Sequence, residues 1–144
     1  MAAGNEVTGR CLCGAVRYTA TLNKREVDAC HCTMCRRWSG GPLLNVETND
    51  DMRFENAERV ATYRASEWGE RGFCRDCGTH LFWRMQDGSH VALSVGTLDD
   101  DTGLALTSEI FIDEKPAYYE FANATTRLTG QQVFEMFGAS EEKD

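Results

Sequence analysis

The seven cysteines of this 144-residue chain fall into three short runs: Cys11-Leu12-Cys13, Cys30-His31-Cys32-Thr33-Met34-Cys35 and Cys74-Arg75-Asp76-Cys77. A thiolate is a soft, anionic ligand, and several converging on one point suit a soft or borderline cation such as zinc. An odd count leaves one cysteine over in any disulfide scheme. Cysteines one residue apart would close small strained disulfide rings, whereas a C-x-C hook offers both sulfurs to one metal about 2.3 Å away. Ordinary folding gives no reason for three thiols within six residues.

The spacing divides the sulfurs four and three. Cys11, Cys13, Cys74 and Cys77 form two bidentate hooks and together a closed tetrahedral set. Such a set contributes folding free energy and offers a substrate nothing. Cys30, Cys32 and Cys35 supply three ligands, and the fourth position stays open to an exogenous group, which is what distinguishes a reactive zinc site from a structural one. A competing arrangement joins Cys32-x-x-Cys35 to Cys74-x-x-Cys77 as a zinc ribbon, but it leaves Cys11, Cys13 and Cys30 without a role. Gly14 and Gly78 follow the two hooks, where their amides are expected to turn toward the sulfurs.

Around the cysteines the chain is locally basic. Arg10, Arg36, Arg37, Arg71 and Arg75 all lie within three residues of one. They could simply offset clustered thiolate charge. Alternatively Arg36 or Arg37 could receive a substrate carboxylate, which a guanidinium fork fits well. His31 lies between two ligands and is read as a structural or supporting residue rather than a ligand. His80 and His90 fall in strand patterns. Trp38, Trp68 and Trp83 read as packing residues, with Trp38 also placed to wall a pocket beside the trio.

Length and composition bound what can carry these groups. A chain this long suits one zinc-binding domain over residues 1–144, with its motif core at 9–113. An apolar fraction of 42% with 26% charged residues is that of a soluble globular protein, and no apolar run reaches the roughly 18–20 residues that span a bilayer. The start, Met1 to Glu6, has no basic segment followed by an apolar one, so no secretory leader is expected. The expected compartment is a reducing cytoplasm, where clustered cysteines are metal ligands rather than disulfides. The formal charge of −8 is uneven: residues 1–96 hold 12 acidic and 12 basic side chains, and residues 97–144 hold 11 and 3. That balance argues against nucleic acid as a partner.

The elements expected to position the sulfurs are short and mainly β. Gly9 to Thr21 alternates as a half-buried strand, with Cys11 and Cys13 at its start, and residues 22–29 read as a polar loop feeding the three-cysteine turn. Gly40-Gly41-Pro42 ends any helix begun at Cys32. Further strands are expected at 43–47, 59–64, 79–85, 90–95 and 107–112, with a hairpin turn at Asp87-Gly88. A short helix is expected at 130–137, followed by a frayed acidic end.

Three motifs in order, C-x-C-G at Cys11–Gly14, C-H-C-x-x-C at Cys30–Cys35 and F-C-x-x-C-G at Phe73–Gly78, resemble the glutathione-dependent formaldehyde-activating family, which includes centromere protein V-like proteins. The resemblance implies a mainly β fold of short antiparallel strands, the β-tent. It also implies two zinc ions, a structural one on Cys11, Cys13, Cys74 and Cys77 and a catalytic one on Cys30, Cys32 and Cys35. The implied activity is that of a carbon–sulfur lyase, reversibly joining glutathione to formaldehyde as S-hydroxymethylglutathione.

Zinc held by three thiolates carries a net charge of about −1 and is a weaker Lewis acid than zinc on three neutral imidazoles. Holding an incoming thiol as thiolate beside an aldehyde therefore suits it better than activating water. The aldehyde oxygen could instead take the open position, and the sequence leaves both arrangements standing. A non-enzymatic alternative is a zinc-stabilised protein-binding module with the acidic C-terminal segment 97–144 as its contact surface.

Overall fold

The computed structural model of the chain describes residues 5–49 and 51–136. It is mainly β, as expected, and divides into two compact units, Met1–Glu26 with Asn45–Leu104, and Val27–Leu44 with Ala105–Asp144.

In the first unit, β1 (Glu6–Arg10) pairs antiparallel with β2 (Arg17–Cys30), setting Val7 opposite Ala20 and Gly9 opposite Tyr18. The short β4 (Arg53–Glu55) joins the same strand at Arg17–Thr19. From Asn45 onward β3 (Leu43–Thr48) pairs with β8 (Val91–Ser94), then come β7 (His80–Met85), β6 (Gly69–Cys74) and β5 (Val60–Arg64), every pair antiparallel. Side chains from these strands and from the turn before β2 form a core of Val16, Leu81, Phe82 and Val91, in which Cys11 and Cys74 are also buried. Apolar burial of this kind stabilises by about 25 cal/mol per Å², so the first cysteine of each hook is anchored by packing as well as by any metal.

The second unit contains α1 (Thr33–Ser39), β9 (Ala105–Ile110), β10 (Thr126–Leu128) and α2 (Gly130–Met136). β9 lies beside β2, where Ser108 donates to the Asp28 carboxylate at 2.5 Å, and it pairs in parallel with β10. The sheet is therefore mixed rather than purely antiparallel. Cys30, Cys35 and Leu43 are buried together, with Cys32, Ile110 and Phe111 packed against them. Among the described residues no helix is long and apolar enough to cross a membrane.

Three sequence expectations need correction. Residues 22–29, expected as a loop, continue β2, since Leu22, Val27 and Ala29 are buried while Asn23, Lys24 and Glu26 are exposed. A half-solvated strand with charged residues on its outer face reads as loop when composition is weighed over period. Cys11 and Cys13 sit in a turn between β1 and β2 rather than in extended chain. The strand expected over 107–112 stops at Ile110, because Phe111 takes the left-handed conformation at φ 55° and the chain enters a 3-10 turn, Ile112–Glu114. For a bulky residue that conformation is strained. Its ring meets Phe134 edge to face at 5.9 Å, which helps hold it there. The expected terminal helix is present as α2, and Phe137 and the acidic end lie outside the described residues.

Candidate metal centres

In the first unit the sulfurs of Cys11, Cys13, Cys74 and Cys77 all lie within 4.8 Å of one another. Two similar turns bring them there. In each, the first cysteine's carbonyl accepts an amide further along, Gly14 to Cys11 at 3.2 Å and Gly78 to Cys74 at 2.8 Å. Those glycines have φ +81° and +84°, the left-handed region that only glycine enters at little cost. The amides that reach the sulfurs are not the glycines' own, contrary to the sequence expectation. Val16 donates to Cys11 Sγ and Asp76 to Cys74 Sγ, both at 3.3 Å. Arg10 clamps the first turn through the Cys11 and Leu12 carbonyls, and Arg59 pairs with Asp76 beside the second at 3.0 Å.

Four ligands about 2.3 Å from one zinc stand about 3.8 Å apart at tetrahedral angles. Cys11 Sγ lies 3.6 Å from Cys13 Sγ, which lies 3.9 Å from Cys74 Sγ. Those separations fit a metal and are far too long for a disulfide. The Thr79 hydroxyl and amide hold the Cys77 thiol down to about 5. Cys13 goes the other way: although the Ala15 amide favours its thiolate, lost hydration and the three neighbouring sulfurs push it up to about 12. Crowded sulfurs without a cation cannot all ionise, and a bound cation removes that conflict.

In the second unit Cys30, Cys32 and Cys35 form the other convergent set. Cys30 ends β2, Cys32 caps α1 by accepting the Cys35 amide at 3.3 Å, and Cys35 faces inward from the first turn. Glu114 fixes the same helix end, its Oε1 accepting from the Thr33 amide at 2.8 Å and the Thr33 hydroxyl at 3.1 Å. At the other end Gly40 closes the helix, donating to the Arg36 carbonyl. Hydrogen bonds from Cys30 and then Cys35 pull the Cys32 thiol down to about 2, and the same sharing pushes Cys30 well above its ordinary value. Cys30 and Cys35 are buried, leaving Cys32 as the most open of the three. Both sulfur groups could hold a metal ion, and an all-thiolate donor set suits zinc.

His31 is wholly buried beside this trio. Its Nε2 lies 2.8 Å from Glu109 Oε1 and its Nδ1 2.7 Å from the Tyr119 hydroxyl, so both ring nitrogens are engaged away from the sulfurs. Arg36 donates through Nε to the His31 carbonyl and through Nη2 to the Glu114 carbonyl. Its neighbour Arg37 is exposed. Among the described residues no histidine joins either group. His80, at the start of β7, has its imidazole pushed down by burial and then by Arg71. Glu109, Glu114 and Tyr119 escaped sequence reasoning. One signal was available for Glu109, a single acid on the alternating pattern of an otherwise uncharged strand.

The profile of the glutathione-dependent formaldehyde-activating enzyme family matches residues 6–114, a span that holds all seven cysteines. The chain belongs to this family. Among its relatives, an uncharacterized lyase of Schizosaccharomyces pombe is 30% identical over 129 residues, covering 89% of this chain and 94% of the relative. Putative glutathione-dependent formaldehyde-activating enzymes of Podospora anserina and Penicillium rubens are 31% and 32% identical over 55% and 59% of this chain. The matches span 39% and 51% of those two longer relatives. A crystal structure of a Rhodobacter sphaeroides protein superposes with a TM-score of 0.58 at 24% identity, covering 69% of this chain and 99% of that one. This neighbour supports the fold of the family member.

Proposed function

We propose that this family member is a zinc-dependent carbon–sulfur lyase, reversibly adding a thiol, with glutathione the first candidate, to formaldehyde or another small aldehyde. The observation that carries the reading is the inequality of the two sulfur groups. Four thiols in one unit complete a tetrahedron, while three in the other cannot.

Cys11, Cys13, Cys74 and Cys77 would hold a structural zinc, and Cys30, Cys32 and Cys35 a second one. Bound there, zinc supplies a cation that favours the thiolate form of an incoming thiol. The chain's own residues do the rest. The Cys35 amide and Glu114 fix the start of α1, so Cys32 and Cys35 are held at a capped helix start and Cys30 at the end of β2 rather than on a loose loop. Cys32 marks the open side from which a substrate approaches. Exposed Arg37 is free to meet a carboxylate of the thiol, whereas Arg36 already spans two carbonyls and braces the turn. In the reaction the thiolate sulfur attacks the aldehyde carbon, the carbonyl π pair moves to oxygen, and the oxygen ends protonated. Positioning two reactants in this way accelerates even an addition that runs unaided in water.

The test is exchange NMR on ¹³C-formaldehyde mixed with glutathione. Exchange between hydrated formaldehyde and S-hydroxymethylglutathione should quicken in proportion to metal-loaded protein. An exchange rate equal to that of the protein-free mixture refutes the lyase reading.

A further inference from the structure

We propose that His31 is the positioning residue of the three-cysteine centre: gripped by Glu109, Tyr119 and Arg36, it holds the sulfurs on either side of it convergent. The inference rests on the reading of Cys30, Cys32 and Cys35 as a zinc site, and it needs nothing from the aldehyde chemistry.

The chain itself links the histidine to the ligands. Cys30 ends β2, and Cys32 is extended at φ −64° and ψ 156°. Along extended chain neighbouring side chains point to opposite sides. The sulfurs of Cys30 and Cys32 converge with that of Cys35, while the ring between them makes its contacts with Glu109 and Tyr119. Fixing the ring on its side therefore fixes two sulfurs on the other.

The grip is complete. The His31 amide donates to the Ile110 carbonyl at 3.1 Å, and its carbonyl accepts from Arg36 Nε at 2.9 Å. On the ring, Nε2 lies 2.8 Å from Glu109 Oε1 and Nδ1 2.7 Å from the Tyr119 hydroxyl. All four hydrogen-bonding groups of the residue are thus engaged. The ring also stacks on Tyr119 at 5.5 Å and meets Phe121 at 5.9 Å.

A buried carboxylate is costly unless its oxygens are matched. Glu109, with no exposed surface, has two partners besides His31: the Thr125 hydroxyl donating at 2.6 Å and Arg127 Nε at 3.5 Å. Burial works against its ionised form, but Thr125, then His31 and Arg127, outweigh it and hold the carboxyl below its ordinary range. An ionised carboxylate only accepts, so Nε2 carries the imidazole proton and Nδ1 takes the one that Tyr119 donates. Both nitrogens are committed by this arrangement, which leaves His31 neither ligand nor base.

One short segment supplies much of the grip. Glu109 and Ile110, at the end of β9, hold the ring and amide of His31, and Glu114 holds Thr33 and Arg36. Phe111, left-handed at φ 55°, turns the chain between them and packs against Cys30 and Cys35. Strain of that kind persists where the surroundings over-determine it. A ligand set held in this way needs less ordering when a cation binds, and preorganisation strengthens binding by that amount.

The experiment follows transfer of zinc from the full chain to a chromophoric chelator. The wild type should release its metal in two phases of one equivalent each, and Cys32→Ser should lack the phase that belongs to the trio. Tyr119→Phe keeps the stacked ring and removes one bond, and it should speed that phase about three- to fivefold. His31→Phe keeps an aromatic ring and removes both bonds, and it should speed the phase more than about tenfold. His31→Gln, whose amide can still donate to Glu109, should restore part of the loss. In every variant the four-cysteine phase should keep its wild-type rate, and with cobalt in place of zinc the ligand-field absorption of one equivalent alone should shift. That phase is the internal control, since a general loss of stability would speed both. Should His31→Phe fail to fold, Tyr119→Phe and His31→Gln carry the test. Equal speeding of both phases, or a trio phase that Tyr119→Phe and His31→Gln leave unchanged, overturns the inference while the zinc reading stands. A wild type that takes up a single equivalent overturns the zinc reading and the inference with it. Selective speeding in a protein without aldehyde turnover upholds His31 as the positioning residue and overturns the lyase reading alone.

Discussion

The Thr79 hydroxyl accepts the backbone amide of Leu12 at 3.0 Å across 67 residues of sequence. The same oxygen lies 3.2 Å from Cys77 Sγ, so one side chain joins the two turns of the four-cysteine group. Thr79→Val keeps the shape and removes both contacts. The expected cost is about 1–2 kcal/mol, with several-fold faster transfer of one metal equivalent to a chromophoric chelator. An unchanged transfer rate would show that the sulfurs alone hold the two turns together.

Serine substitutions should separate the two groups. Cys32→Ser loses a ligand but keeps a good helix cap, since serine is among the preferred N-cap residues, so one metal equivalent should be lost with little change in melting temperature. Cys77→Ser should lower the melting temperature strongly, because a four-ligand site contributes directly to folding. Elemental analysis and thermal circular dichroism on the same samples check both. Equal melting temperatures for the two variants contradict the division of labour.

Arg36 and Arg37 are neighbours with opposite commitments. Arg37→Met should raise the apparent KM for glutathione about three- to tenfold and leave the melting temperature alone, as expected for a lost exposed charge contact. Arg36→Met removes two bonds to buried-side carbonyls and should cost about 1–3 kcal/mol of stability. Steady-state kinetics with glutathione and with an uncharged thiol would expose a role reversal.

Alkaline pH offers a test away from the sulfurs. Burial pushes the Tyr18 phenol well above its ordinary value of 10.0, more than its contact with Thr97 at 2.6 Å lowers it. Its folded-state pKa is therefore the higher one. The stability it contributes is whole below about pH 10 and is lost as pH rises from there toward the folded value, because the unfolded chain releases the proton first. Melting temperature should fall more steeply above pH 10 in the wild type than in Tyr18→Phe, which also forfeits about 1 kcal/mol at neutral pH. Parallel slopes would remove Tyr18 from the account.

What the sequence revealed follows the range of its signals. Cysteine spacing is a local signal, and the structure brings together the same four and three sulfurs that spacing divided. Strands marked by bulky aromatic residues, such as His80–Met85, or by alternation with smaller residues, such as Val91–Ser94, were legible for the same reason. The continuation of β2 through Lys24 and Glu26 was hidden because its outer face is solvated and charged. The left-handed Phe111 was hidden because no propensity favours it; the conformation is imposed by packing. The contacts of His31 with Glu109 and Tyr119 span 78 and 88 residues and leave no periodic trace. They belong to tertiary structure alone.

Cys13 and Cys77 are exposed, unlike their partners Cys11 and Cys74. Formaldehyde is an electrophile that alkylates free thiols, so under the proposed reaction these two exposed nucleophiles would meet it. In that setting a bound cation acts as a protecting group in the synthetic chemist's sense, engaging the sulfur lone pairs that an alkylating agent needs. Under the proposed reaction, metal occupancy of the four-cysteine group would then govern the working lifetime of the protein in the presence of formaldehyde.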